Sequence, residues 1–320
     1  MREKIKILVT GSAGFIGYHL SKSLLDDKHE VLGIDNINDY YDPKLKVDRL
    51  NQLNNYDNFL FEKVDLVDKE NLNSIFKKFS PQIVVNLAAQ AGVRYSIENP
   101  YAYLDSNLTG FLNLIELCRH QQVEGLIYAS SSSVYGGNKK IPFSEEDRCY
   151  KPLALYGATK RANELIAHSY SYLYDLHTTG LRFFTVYGEW GRPDMAMFIF
   201  TNCIENNKPI KVFNNGNMKR DFTYVEDIIS GTKSAIEKNY NNKVFNLGNN
   251  KSEKLMDMIS LIEKELGKKA EIDFLPMQPG DVKESFADIT NSKKYLNYEP
   301  KISIDEGIPK FIKWYKDYYE

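Results

Sequence analysis

The chain has 320 residues, a formal net charge of −2, and 42% hydrophobic against 26% charged residues. That balance excludes a disordered chain and offers no basic surface of the kind nucleic-acid binding needs. The longest apolar runs are strand-sized, far short of the ~20 residues that span a bilayer, so no membrane partner is expected. Three scattered cysteines, Cys118, Cys149 and Cys203, suit a reducing compartment, and no Cys/His spacing points to a metal. The N-terminus opens on a strand pattern without a signal-peptide core. The expectation is a cytoplasmic protein of one large or two unequal domains, at ~150 residues per domain.

In chain order, a β-rich run at 6–10 precedes a helix at 14–25 and a second strand at 30–35. Strands follow at 58–64, 82–87, 124–130 and 178–184, with helices at 69–79, 101–120 and 154–174 between them. Strands separated by helix-length segments argue for βαβ units around a parallel sheet. Beyond Phe184 the pattern loosens. Gly188, Gly191 and Pro193 mark a loop, 214–217 is a turn cluster, and Pro276, Pro279 and Gly280 mark another loop. Helical stretches at 252–266 and 304–318 flank that last loop. The predicted fold is α/β: a Rossmann-like doubly wound parallel sheet over 1–185, with a smaller α/β region over 186–320 interleaved with it by some chain exchange.

The first strand runs into Gly11-Ser12-Ala13-Gly14-Phe15-Ile16-Gly17, a GxxGxxG loop opening a helix. Glycines let the backbone turn and approach a pyrophosphate, and the helix N-terminus supplies N–H donors. A lone Gly-rich loop is a weak signal, and its strand–loop–helix setting is what gives it meaning. Asp35, followed by Asn36, ends the second strand, 18 residues after Gly17. A carboxylate there accepts bonds from both adenosine ribose hydroxyls and repels a 2′-phosphate, which points to NAD over NADP. Asp65 and Leu66 follow the third strand, near the adenine, and Leu87, Ala88, Ala89 and Gln90 end the fourth. Each alone reads as a turn or core residue. Together they fall beyond successive strand ends, where ligands of such sheets bind.

Tyr156 and Lys160 form a YxxxK pair at helical spacing, one residue above the other on one helix face. Free Tyr titrates near ~10. A nearby ammonium favours the phenolate and makes Tyr a usable base. Upstream, the strand end Ser130-Ser131-Ser132-Ser133 offers hydroxyls to share a bond with a substrate hydroxyl. Its plainer reading is a turn whose serines satisfy backbone groups.

GxxGxxG, Asp35, the Ser-rich strand end and Tyr156/Lys160 together resemble the extended short-chain dehydrogenase/reductase family along the whole chain. Within it, 89–96, 182–188, 191–196 and 276–281 resemble the nucleotide-sugar 4-epimerases, most closely the UDP-glucuronate 4-epimerases. The resemblance implies tightly held NAD+, with Asn107, Tyr156 and Lys160 added to the cofactor contacts. It implies that Tyr156 takes the C4 hydroxyl proton as NAD+ takes the C4 hydride. The 4-keto sugar then turns and receives the hydride on its other face. Alignment on Val134-Tyr135-Gly136 assigns the family's Ser/Thr role to Ser131, with Ser132 and Ser133 facing the sugar. For the UDP-sugar, the resemblance implies Arg220 at the diphosphate, Arg192 near sugar and uridine, and Arg94 in the sugar pocket. Thr185 would meet diphosphate or sugar, Val212 and Phe213 the uracil, and Gln278 and Asp281 the ribose or phosphate. The plain alternative for each arginine is a surface ion pair.

A dehydratase of this family carries an Asp-Glu pair, and a decarboxylase a Glu, where this chain has Ser132 and Ser133. A 4-epimerase acting on UDP-glucose/galactose or UDP-N-acetylhexosamines stays open. A non-catalytic NAD-binding regulator would have lost Tyr156 or Lys160. The family further implies a homodimer through the helices at 101–120 and 154–174, and surface polysaccharide synthesis as a context.

Overall fold

Alternation of β-rich and helical sequence is reproduced almost element by element in the computed structural model, which describes residues 4–319. The first three residues and the last one of the two expected regions lie outside it. The strands are β1 (Lys6–Thr10), β2 (Glu30–Asp35), β3 (Phe59–Lys63), β4 (Ile83–Asn86), β5 (Gly125–Ser131), β6 (Thr178–Phe183) and β7 (Thr185–Tyr187). Then come β8 (Ile210–Phe213), β9 (Lys219–Arg220), β10 (Phe222–Tyr224), β11 (Lys243–Leu247), β12 (Glu253–Lys254), β13 (Ile272–Leu275) and β14 (Glu284–Ser285). The helices are α1 (Phe15–Asp26), α2 (Pro43–Leu53), α3 (Lys69–Phe79), α4 (Tyr95–Glu98), α5 (Pro100–Tyr103) and α6 (Gly110–His120). They continue with α7 (Leu155–Tyr174), α8 (Ala196–Glu205), α9 (Val225–Lys238), α10 (Leu255–Leu266), α11 (Thr290–Leu296) and α12 (Ile304–Tyr319).

Seven strands form one sheet in the order β11-β6-β5-β4-β1-β2-β3, and every pairing in it is parallel. Chain direction across the sheet reverses between β1 and β4, the crevice where this architecture binds ligands. Two apolar cores cover the two faces. One gathers α1, α2, α9 and α12 side chains such as Leu20, Leu53, Ile228 and Phe311. The other gathers Leu72, Phe76, Phe111 and Leu114 from α3 and α6. Burial on both faces explains the unalternated apolar strands. The chain returns from the C-terminal region to add β11 beside β6, in register from Lys243 with Thr179 to Leu247 with Phe183.

Smaller ladders build the rim: β10 with β7, β12-β9-β14, and β13 with β8. Beside them lies an aromatic cluster. Trp190 sits 5.4 Å from Trp314 and 5.5 Å from Tyr18, and Trp314 stacks on Tyr318.

Two expectations change. No helix is predicted between the strands at 30–35 and 58–64, but the structure has α2 there, started by Asp42 accepting from Lys44 N–H and by Pro43 in the first turn. The helix expected at 101–120 contains a π-helical stretch over Leu104–Thr109 between α5 and α6. Such a widened turn re-aims side chains, and Asn107 lies within it.

Candidate active site

A cavity of about 440 Å³ opens beyond the C-terminal ends of β1, β2, β4 and β5. Its inner wall is the Gly-rich loop. Gly11 N–H donates to the Ile34 carbonyl at 2.7 Å, pinning the loop to β2. Gly11 takes φ +72°, and a Cβ on Gly17 would lie 2.0 Å from the Gly11 carbonyl oxygen. Neither position tolerates a side chain, so the loop and α1 meet backbone to backbone. The first helical bond runs from Tyr18 N–H to the Gly14 carbonyl, and no side chain caps α1. The N–H groups of Phe15, Ile16 and Gly17 therefore precede the helical ladder on the cavity wall, a donor set suited to a pyrophosphate.

Asp35 is 8% exposed on that wall. Its carboxylate accepts from Ala13 N–H at 3.2 Å and Ile37 N–H at 2.8 Å. Burial nevertheless pushes its pKa up, as expected of a carboxylate awaiting further donors. Asn36 donates to Asp65 at 2.7 Å. Asn36, Asp65, Leu66, Leu87, Ala88, Ala89 and Gln90 all line the cavity. Thr10 joins the strands at the crevice, donating to Asn86 at 2.7 Å and accepting from Ala88 N–H at 3.1 Å. These residues fit a dinucleotide.

Asn107 does not line the cavity. It is buried behind Gln90, accepting from the Gln90 N–H at 2.8 Å and donating to the Gln90 carbonyl at 3.0 Å. Through these two bonds Asn107 braces the backbone of Gln90, which does line the cavity.

At the reacting end, Tyr156 and Lys160 rise from the first turns of α7, next to Ser131 at the end of β5. The Ser131 hydroxyl accepts from Ser133 N–H at 3.1 Å, which leaves its own proton to donate. Ser130 is committed elsewhere: it donates to Glu164 at 2.6 Å, and Glu164 is held by Arg182 at 2.8 Å. Ser132 and Ser133 line the cavity, as does Thr185. Burial raises the Tyr156 pKa, opposed by a hydrogen bond from Ser131 and the charge of Arg192. Arg192 is thus a cation that favours the phenolate of Tyr156. Lys160 points its ammonium at the Ala129 carbonyl, 2.8 Å away, and burial lowers its pKa to about 8.

The outer end is built from charge pairs. Arg192 grips Asp194 with two bonds of 3.0 and 2.5 Å. Arg220 donates to Asp281 at 2.6 Å. Arg192, Arg220 and Asp281 line the cavity. Arg94 is exposed outside it, its guanidinium 4.8 Å over the Phe213 ring. Gln278 is half-buried in the 276–281 loop, its carbonyl accepting from Asp281 N–H. Val212 is 0% exposed in the core, which corrects its expected packing on a base. Adjacent strand residues face opposite ways, so only Phe213 offers a surface.

Two cations escaped the sequence reading. Lys46 on α2 lines the cavity, donating to the Asn38 carbonyl at 2.7 Å with Asp35 close by. Arg49, 0% exposed, donates to the Ala13 carbonyl at 2.9 Å, the Tyr41 hydroxyl at 2.8 Å and the Trp190 carbonyl at 2.6 Å. The only local signal for either was the Asp-Pro start of their helix. Among the described residues, no group of three or more His, Cys, Asp or Glu side chains could hold a metal ion, and no helix is long and apolar enough to cross a membrane.

This geometry has close counterparts. The model of the NAD dependent epimerase/dehydratase family matches residues 7–248. The UDP-glucuronate 4-epimerase of Thermodesulfobacterium geofontis is 45% identical over 314 residues, covering 98% of this chain and 97% of its own. The crystal structure of the Bacillus cereus UDP-glucuronic acid 4-epimerase, in complex with UDP-glucuronic acid and NAD, matches with a TM-score of 0.94 at 36% identity. It covers 98% of this chain and 100% of its own. The Thermotoga maritima UDP-glucose 4-epimerase with UDP-glucose matches with a TM-score of 0.91 at 31% identity, covering 99% and 100%. The Gly-rich crevice and the matches over nearly the whole length lead to one conclusion: the chain belongs to the NAD-dependent epimerase/dehydratase family.

Proposed function

We propose that the chain is a UDP-glucuronate 4-epimerase, interconverting UDP-glucuronate and UDP-galacturonate with NAD held in the β1–β4 crevice. The observation that carries this reading is the reacting end of the cavity. It presents Tyr156, Ser131, Lys160 and Arg192, with serines at 132 and 133. Serine cannot serve as an acid–base pair at neutral pH, so the C5 and C6 chemistry of a dehydratase has no residue to perform it. The Arg192 guanidinium there suits a sugar carrying a carboxylate. Two of the relatives named above, those of Thermodesulfobacterium geofontis and Bacillus cereus, are UDP-glucuronate 4-epimerases.

The chemistry NAD supplies when bound is reversible hydride exchange at C4. The N–H groups opening α1 and the Asp35 carboxylate would hold its pyrophosphate and ribose, with Lys160 donating to the second ribose. Tyr156 removes the proton from the C4 hydroxyl and returns it after the sugar has turned. Ser131 donates to that same oxygen and keeps the proton path short. Arg192 favours the phenolate. Arg220 and Asp281, paired with each other here, would take the diphosphate and uridine ribose. Residues 1–185 form the cofactor region in this reading, and 186–320 mainly the substrate region, with β11 returning to the large sheet. Exposed Leu112 on α6 and Leu165 and Tyr172 on α7 support a homodimer through these helices.

The test is incubation of the purified protein, with no cofactor added, with UDP-glucuronate, UDP-glucose and UDP-N-acetylglucosamine, products being resolved by proton NMR. Conversion of UDP-glucuronate alone is expected; conversion of a neutral sugar instead overturns the substrate assignment. Tyr156→Phe is expected to lower turnover about 10³-fold, within the range of general acid–base catalysis, with the bound NAD content unchanged.

A further inference from the structure

The segment between β2 and α2 carries two adjacent tyrosines over the cavity, and nothing in the mechanism uses them. Tyr40 donates its hydroxyl to Asp194 Oδ2 at 3.1 Å. Asp194 is the carboxylate that grips Arg192 with two bonds, so a single oxygen joins a cofactor-side loop to the cation beside Tyr156. The Tyr40 ring packs 4.8 Å from Tyr95. Its hydroxyl lies 3.2 Å from where a Cβ of Gly92 would sit, which seats it on bare backbone. Burial pushes the Tyr40 pKa up to about 12, so at neutral pH it remains a donor. A second set of bonds joins the same two segments: Arg49 donates to the Tyr41 hydroxyl on one side and to the Trp190 and Gly191 carbonyls on the other. Asn38, Tyr40, Tyr41, Arg192 and Met195 line one cavity.

We propose that Tyr40 is a positioning residue: through Asp194 it fixes Arg192 at the reacting end while its own segment closes over the cofactor groove. Retention of the cofactor and alignment of Arg192 are then one closure, not two. This rests on the reading of the crevice as an NAD site. Nothing else in the 36–42 segment reaches the Arg192–Asp194 pair by a hydrogen bond among the described residues. Tyr40→Phe keeps the ring and removes one bond to a charged acceptor, a loss of about tenfold.

The experiment compares wild type and Tyr40→Phe in three readings: NAD remaining after exhaustive dialysis, kcat and KM on UDP-glucuronate, and Tm. The expected result is NAD loss from the variant, kcat down about tenfold with KM little changed, and Tm within a degree or two of wild type at equal NAD loading. Full NAD retention with unaltered kcat overturns the proposal. So does a loss of kcat that merely follows a fall in Tm, which marks Tyr40 as a packing residue. Should Tyr40→Phe not fold, Asp194→Asn breaks the same link from the other side, with the same expected and overturning results. A wild type that holds NAD but leaves UDP-glucuronate unchanged refutes the substrate assignment, and NAD retention in the variant then decides on Tyr40 by itself.

Discussion

The inner and outer ends of the cavity are built by different means. At the inner end, backbone makes the site: Gly11 and Gly17 meet α1 without side chains, N–H groups precede the helical ladder, and Asp35 is tied to two backbone donors. At the outer end, side chains make it: Arg192 with Asp194 and Arg220 with Asp281. A surface of backbone atoms is fixed once the sheet has formed. A surface of ion pairs must exchange partners as an anionic ligand arrives. The difference teaches that the inner end is suited to a group that stays, and the outer end to one that comes and goes.

Substitution at the two ends should therefore fail in different ways. Gly17→Ala has the largest expected effect. Its Cβ would lie 2.0 Å from the Gly11 carbonyl oxygen, so α1 must retreat, costing about 3 kcal/mol. Protein purified without bound NAD, and a Tm fall on the scale of that loss, is the expected outcome. A variant that keeps its NAD would break the distinction between the two ends.

Lys160 stands where the ends meet. Burial lowers its pKa to about 8 from an ordinary 10.5. Below pH 8 the folded protein carries a desolvated charge, and the unfolded chain holds its proton more tightly. Stability therefore rises with pH between 8 and 10.5. In NAD-free protein, Lys160→Met removes the penalty and is expected to gain about 2 kcal/mol at pH 7, after allowing for the bond lost to Ala129. Denaturant titrations at several pH values check this. The gain should shrink above pH 8, and one that grows with pH would reverse the sign assigned to burial.

Arg220→Ala is the mildest. Losing a charged hydrogen-bonding group at the outer end is expected to raise KM about tenfold, with kcat and NAD content held. Steady-state kinetics beside an NAD assay check it. A fall in kcat with KM unchanged would place Arg220 in the chemistry instead.

Legibility in the sequence followed the same line. GxxGxxG, Asp35 and YxxxK are local patterns, and strand and helix periodicity gave them a setting, so the seven-stranded sheet apart from β11 and most of the inner wall could be read in chain order. β11 escaped because it pairs with β6 from 60 residues further along the chain. Helices α8 and α9 lay in the stretch read only as loosening. Helix α2 escaped because its apolar positions are few, although Asp42-Pro43 is a recognisable start. Arg49 and Lys46 act on backbone oxygens and on a carboxylate from other segments, and no spacing announces such bonds. Val212 was an avoidable error: strand alternation forbids it from sharing a ligand-facing side with Phe213. Asn107 is expected only as a cofactor contact, and its bonds to Gln90 depend on the π-helical turn that carries it, which no local pattern announces.

The aromatic cluster behind this site has a practical consequence. The chain contains two tryptophans, and they sit 5.4 Å apart. Trp190 lies two residues before Arg192, and its carbonyl is held by Arg49. The intrinsic fluorescence of the protein therefore originates beside the loop that carries Arg192. Motion of that loop should be visible in stopped flow as a change in native emission, with no label attached and no residue replaced.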